Sequence, residues 1–179
     1  MDASAEFREL AFKYMDSLYN YARVLTRNDT EAEDLLQDTL LRAFRGLPSL
    51  NREFSPKAWL LRIMKNAHID RGRRKHSRPT EEEFQEEQEV EDSAPMNPEE
   101  ILLRRLAIED VRDAIRRLPA ISREAVELRD IEGLSYQEIA HVIDKPIGTV
   151  MSRLSRGRNR LRSFLQDHQT VEPRRGRDL

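Results

Sequence analysis

The sequence predicts an all-α protein made of two small helical domains, a three-helix-type N-terminal domain and a four-helix C-terminal domain with a helix-turn-helix, joined by an acidic flexible linker. Three observations predict it. Apolar residues recur every three to four positions, and each run begins at a capping residue and ends at glycine or proline. The chain of 179 residues holds 36% charged residues against 6% aromatic ones and 6 glycines, which suits helices with wide solvated faces better than sheets. Finally, the net charge of -2 hides a segregation of sign: residues 1–80 carry 15 basic and 11 acidic side chains, residues 81–100 carry none and 10, and residues 101–179 carry 16 and 12. Two basic units on an acidic strap can each bind a polyanion even though the total is negative, because binding follows the local patch. The expected divisions are 1–79, the linker 80–97, 98–168, and a disordered basic tail at 169–179.

The first helix is expected from about Ala5 to Thr26, with Phe7, Leu10, Ala11, Tyr14, Leu18, Tyr21 and Leu25 on its apolar face. Thr30 and Glu33 read as a capping box opening a second helix that ends at Gly46, before Pro48; its stripe is Ala32, Leu35, Leu36, Leu40, Ala43 and Phe44. Ser55 and Pro56 open a third helix through Trp59, Leu60, Ile63, Met64 and Ala67 toward Arg71, with Trp59 in the core. After the linker, Asn97 and Pro98 start a helix that runs to Arg117, and another follows Ser122 to about Ile131, ended by Gly133. Ser135 and Glu138 form a second capping box for a short helix ending near Ile143. Asp144, Lys145 and Pro146 then make a tight turn into a final helix from Ile147 to Leu165.

Those last two helices read as a helix-turn-helix, with small Ala140 at the closest crossing and Ile139, Ile143, Val150, Leu154 and Leu161 inward. The opposite face of the final helix holds Thr149, Ser152, Arg153, Arg156 and Arg160, hydroxyls and guanidiniums suited to base edges and phosphates in a major groove. In the N-terminal domain, the run NDTEAEDLLQDTLLRAF puts Glu33, Asp34, Gln37, Asp38, Leu41 and Arg42 around one exposed face. The third helix combines inward Trp59 with outward Asn66, His68 and Asp70, and ends in Arg71, Arg73, Arg74, Lys75 and Arg78, a cationic run that calls for a polyanion.

The absence of cysteine excludes disulfides and thiolate metal sites, so redox sensing would belong to a partner. No segment reaches the ~18 apolar residues of a membrane span, and the acidic N-terminus is unlike a signal peptide, so no membrane insertion and a cytoplasmic location are expected. Scattered histidines and a helical acid cluster without a nearby histidine give no metal site, no cofactor and no enzyme.

The runs NDTEAEDLLQDTLLRAF, AWLLRIMKNAHIDRGRR, LPAISREAVELRDIEGLSYQEIA and PIGTVMSRLSRGRNRLR, in this order from about Phe7 to Leu165, resemble the extracytoplasmic-function sigma factors of bacterial RNA polymerase. The resemblance implies a subunit that binds core polymerase, at the clamp helices of its largest subunit and at its flap region. It implies recognition of promoter DNA as duplex and as melted single strand, local melting, initiation of a stress regulon, and inhibition by a cognate anti-sigma factor. On this resemblance Asp34, Leu35, Gln37, Asp38 and Leu41 dock on the polymerase. Asn51, Arg52, Phe54, Lys65, Asn66, Asp70, Arg71, Arg73 and Arg74 serve the minus-ten element, with a flipped base taken by the loop from Leu50 to Ser55. Thr149, Ser152, Arg153, Arg156, Arg158 and Arg160 serve the minus-thirty-five element. Met151 stands where many relatives carry a basic residue, while PIGTVMSRL followed by RGR is similar to the subgroup that answers thiol-oxidative stress through zinc-containing anti-sigma partners. The acidic linker reads as a solvated tether or as a strand threading a basic channel of the polymerase. The competing readings are a stand-alone duplex-binding repressor or activator, which would not need Asp34, Gln37 and the Asn66 helix, and a nucleic-acid enzyme using the N-terminal acids and His68 or His76 as metal ligands or bases.

Overall fold

A computed structural model of the chain describes residues 3–49, 53–76 and 110–171, and among these every regular element is helical. Helix α1 spans Ala3–Thr26, α2 Asp29–Gly46 with a 3-10 turn over Leu47–Ser49, and α3 Pro56–His76. A helical stretch over 110–116 is α4. Helix α5 covers Ala120–Val126 and widens into a π-helical turn over Glu127–Ile131; α6 is Tyr136–Ile143 and α7 Ile147–Val171. The expected linker at 80–97, the start of the helix expected from Asn97, and residues 172–179 of the expected tail lie outside the described residues.

Several boundaries move for local reasons. Arg27 takes a left-handed conformation (φ 58°), its amide bonding to the Arg23 carbonyl at 2.9 Å, and this frees Asn28 to cap α2. The Asn28 side chain accepts from the Glu31 amide at 2.9 Å, so the helix starts one residue before the capping box read at Thr30. Helix α5 begins directly after Pro119, and Ser122 is buried inside it instead of capping it. The Ser135/Glu138 capping box forms as expected, with the Glu138 amide 3.2 Å from Ser135 Oγ and the Ser135 amide donating to Glu138 Oε2 at 2.9 Å. Asp144 closes α6 in the left-handed conformation (φ 53°), which a short polar side chain tolerates, and α7 continues beyond Leu165 to Val171.

The core is a single contiguous cluster that runs through both domains. Leu18, Tyr21 and Ala22 of α1 meet Ala32, Leu35 and Ala43 of α2 and the buried run Ala58–Leu61, Met64 and Ala67 of α3. A helix that buries four consecutive residues must be covered on more than one side, and α3 is: α1 and α2 pack on one flank and α6 of the C-terminal domain on the other. Trp59 is buried as expected, whereas Phe44, placed in the core stripe by its spacing, is 46% exposed and meets Phe7 edge to face at 5.3 Å. Val126, Leu128, Ile139, Val142, Val150 and Leu154 fill the second domain.

Helix α7 approaches α5 closely at Gly157, where a Cβ would stand 2.8 Å from Val126 Cγ2 and 3.3 Å from the Ser122 carbonyl oxygen. Ala140, expected at the tightest point of the α6–α7 crossing, is only partly buried. Gly157→Ala is therefore expected to destabilise the chain by about 1–3 kcal/mol through overpacking, read as a lowered urea midpoint. In the π turn, burial first and then the nearby Glu132 carboxylate push Glu127 up to about 7. The folded chain then holds a proton there that the unfolded chain, titrating near the ordinary carboxylate value, has released, so stability falls as pH rises from about 4.5 to 7. Glu127→Gln is expected to raise the melting temperature at pH 8 and to change it little at pH 4.

Candidate nucleic-acid interface

Helix α7 is positioned by its own apolar stripe: Val150, Leu154 and Gly157 are buried and Leu161 half-buried, which turns the basic residues outward. The turn carbonyl of Pro146 accepts from the Thr149 and Val150 amides at 2.9 and 3.2 Å, and Ser152 Oγ donates to the Thr149 carbonyl at 3.0 Å. Thr149, Ser152 and Arg153 are half-buried, and Met151, Arg156 and Arg160 are exposed. This is a convex cationic strip about one helix wide, the dimension that a major groove admits. Arg158, also expected on this strip, is committed elsewhere: its Nε and Nη2 reach the two Asp130 oxygens at 3.0 and 2.5 Å. That two-pronged bond is the main reason its protonated form is favoured, and it holds the middle of α7 to the π turn.

The residues expected at the second strand-reading surface are distributed unevenly. Asn51 and Arg52 lie outside the described residues. Asn66, Arg73 and Arg74 are exposed on or beyond the middle of α3. Asp70 does not point away from the domain but toward α2, accepting from Arg42 at 2.7 Å, and that bond depresses its pKa. Arg71 donates to the Asp34 carbonyl at 2.7 Å and stands 3.5 Å from the Asp38 carboxylate. His68, read as outward, is half-buried, and burial, followed by the Lys65 charge, lowers its pKa. Phe54 and Lys65 both engage the C-terminal domain, as described below.

On α2, Asp34, Gln37 and Leu41 are exposed, Leu41 by 58%. Leu35 is not part of that surface: it is fully buried, because its position one turn from Ala32 and two from Ala43 aims it at α1 and α3. Asp38 accepts from Arg42 at 3.0 Å, so the acidic face of α2 and the basic end of α3 form one network of alternating charge.

A seam between the two domains contains residues that sequence reasoning missed. Glu124 on α5, with its side chain 8% exposed, takes Lys65 Nζ at 2.5 Å and the hydroxyl of fully buried Tyr21 at 2.8 Å. Burial, reinforced by the Glu124 charge and hydrogen bond, pushes the Tyr21 pKa up, which keeps the hydroxyl a donor. Lys57 Nζ lies 2.5 Å from Glu132 Oε2 and donates to the Glu132 carbonyl at 2.8 Å. Glu138, already bonded to Ser135, also accepts from the Ser55 amide at 3.3 Å. Arg62 donates to the His141 carbonyl and lies 3.2 Å from His141 Nδ1. A guanidinium has only donors, so that ring nitrogen is the acceptor and His141 is neutral, in keeping with a pKa lowered by burial and then by Arg62. Phe54 stacks on the His141 ring at 3.9 Å and 20°. Beside this stack lies a groove of about 850 Å³ between Glu53, Arg62, Gln137 and Asp144. The only local signal for the seam was in ISREAVEL, where charged residues interrupt an apolar run. Their partners lie 59 and 103 residues away, beyond any periodicity.

Among the described residues, no group of three or more His, Asp or Glu side chains could hold a metal ion, and no helix is long and apolar enough to cross a membrane.

Comparison with known proteins agrees with this geometry. The sigma-70 region 2 family matches residues 10–78 and the sigma-70 region 4 family matches residues 108–161. The chain is 37% identical over 169 residues to the ECF RNA polymerase sigma factor SigE of Mycolicibacterium smegmatis, covering 93% of this chain and 64% of that protein, so it spans just under two thirds of that relative. It is 33% identical over 171 residues to SigW of Bacillus subtilis, covering 90% of this chain and 89% of the relative. Among solved structures, the sigma factor RpoE of Bartonella quintana, crystallised with the anti-sigma factor NepR, superimposes with a TM-score of 0.72 at 29% identity, covering 94% of this chain and 99% of that one. CnrH, solved with the cytosolic domain of CnrY, gives 0.63 at 25% identity, covering 92% and 90%. Two sequence families in order along one chain, full-length relatives at about one third identity and a matching two-domain fold place this protein among the extracytoplasmic-function sigma factors.

Proposed function

We propose that the chain is a dissociable initiation subunit that binds core RNA polymerase and directs it to promoters carrying two recognition elements. The observation that carries this reading is the coexistence of two differently built DNA-facing surfaces on one chain. One is the convex basic strip of α7, suited to duplex. The other is the exposed amide of Asn66 followed by Arg73 and Arg74 on α3, suited to an unstacked strand. A repressor of this size has no use for the second surface, nor for exposed Leu41 and Phe44 on α2.

In this reading α7 reads the upstream element through Thr149, Ser152, Arg153, Arg156 and Arg160, and Arg158 positions the helix by its bond to Asp130. Helix α3 serves the downstream element through Phe54, Lys65, Asn66, Arg73 and Arg74, with Asn51 and Arg52 in the preceding loop. Asp70 and Arg71 set the orientation of α3 against α2. The polymerase meets Asp34, Gln37, Asp38 and Leu41, and the flap region meets the C-terminal domain. The chain works in the cytoplasm and catalyses nothing itself; the polymerase supplies the chemistry. Since the chain has no cysteine, a thiol-stress signal of the kind its PIGTVMSRL and RGR runs suggest reaches it only through an anti-sigma partner.

Two outcomes test the assignments. Leu41 is 58% exposed, so Leu41→Glu is expected to leave the melting temperature within a few degrees of the parent chain while weakening core-polymerase binding at least about tenfold and abolishing run-off transcription. Wild-type affinity for core would contradict the docking assignment. With reconstituted holoenzyme on promoter duplex, Arg153→Ala is expected to reduce the slope of log affinity against log salt by about one phosphate contact. Arg158→Ala weakens binding without changing that slope, and the charge-swapped pair Arg158→Asp with Asp130→Arg recovers affinity.

A further inference from the structure

We propose that α7 selects thymine in the upstream element by an apolar contact, Met151 meeting the 5-methyl group of the base. The inference rests on the assignment of α7 as the duplex reader. In a helix-turn-helix the leading turns of the second helix reach the base edges. In α7 those turns, Ile147 to Ser152, hold no charged residue, and the first cation of the helix is Arg153. Their hydroxyls are committed or covered: Ser152 Oγ donates to the Thr149 carbonyl at 3.0 Å, and Thr149 is half-buried. Such turns offer little to the O6 and N7 acceptors of guanine, which call for a donor. What they present instead is hydrocarbon, with Ile147 41% and Met151 53% exposed.

Within a major groove the thymine methyl is the apolar group on display. Met151 is the side chain placed for it. Gly148, Met151 and Ser155, spaced three and four apart, form an exposed row beside Ser152 and Arg156, so the apolar contact is continuous with the basic strip. Ile147 lies instead at the edge of the groove between the domains. An unbranched thioether adapts its shape to the surface it meets. Gly148 adds an independent observation. A Cβ there would meet nothing within 4 Å among the described residues, and glycine weakens a helix relative to alanine, so packing inside the chain gives no reason for it. A position without a side chain lets an outside molecule come close to the backbone, and that approach brings a base edge within reach of Met151 one turn on.

The test uses holoenzyme reconstituted with the full chain and a fluorescein-labelled promoter duplex taken from a transcription start site that depends on this protein. In a second duplex every thymine of the upstream block, on both strands, is replaced by deoxyuridine, which removes the methyl and keeps each hydrogen-bonding group. The parent chain is expected to bind the thymine duplex about fourfold tighter for each methyl it covers, the value of burying one such group. Met151→Ala is expected to bind the two duplexes equally, with the affinity that the parent shows for the uracil duplex. Gly148→Ala is expected to lose affinity for both duplexes while its melting temperature is unchanged or raised. Equal binding of the two duplexes by the parent, a thymine preference that survives Met151→Ala, or parent-like affinity of Gly148→Ala each overturns the proposal. Arg153→Ala judges the reading of α7 separately: it weakens binding to both duplexes and keeps the thymine preference if α7 reads the duplex, and it binds like the parent if α7 does not.

Discussion

The carboxylate of Glu124 receives donors from two helices of the other domain, the hydroxyl of Tyr21 and the ammonium of Lys65, in a site where the two charged side chains are 8% and 18% exposed. Desolvating such a pair offsets most of its Coulomb attraction, so its net contribution to stability is small. Removing one partner is another matter, because the charge left behind is buried and uncompensated, at a cost of about 3–5 kcal/mol. An interaction with that asymmetry specifies an arrangement more than it strengthens it. Alternative dockings of the two domains that leave Glu124 dry and unpaired are excluded, whereas apolar packing alone would let α6 slide along α3. The further pairs at Glu132 and Glu138 fix the register along α3 in the same way.

That register explains the division of labour among the charged residues. The chain has far more arginines than its DNA-facing surfaces can use, and the structure divides them by partner. Arg158 is held by Asp130, Arg42 by Asp38 and Asp70, and Arg71 by the Asp34 carbonyl and Asp38. These residues orient helices. Arg156 and Arg160 project from the solvent-facing side of α7, the side a duplex can approach. The same network joins the acidic face of α2 to the basic end of α3 through Arg42 with Asp70 and through Asp38 with Arg71.

Much of this was legible in the sequence because it depends on local rules. The Ser135/Glu138 box, the turn at Asp144, the buried stripe of α7 and the burial of Trp59 follow from spacing and capping chemistry. The readings that changed failed where the competing interaction was tertiary or where two local rules competed. Spacing places Leu35 in the apolar stripe and Leu41 on the exposed face, and the packing of α1 and α3 on α2 keeps Leu35 in the core although the resemblance also assigns it to docking. Asn28 took the cap from Thr30 because Arg27 accepts a left-handed turn that sequence does not announce. Arg158 looks like its neighbours until Asp130, on a different helix, is brought within 2.5 Å. The seam was invisible because every contact in it joins residues on opposite sides of the acidic stretch 80–97, a separation that no periodicity or capping rule spans.

In the function proposed above, two readers on one chain recognise two separate promoter elements, and polymerase fixes the distance between them. Mapping of transcription start sites genome-wide after induced expression of the protein tests it most directly. The expected result is a set of start sites that share two sequence blocks upstream, one near minus ten and one near minus thirty-five, at a nearly constant spacing. A single shared block, or a palindromic one at variable distance from the start, would contradict it and would make the chain a stand-alone duplex binder.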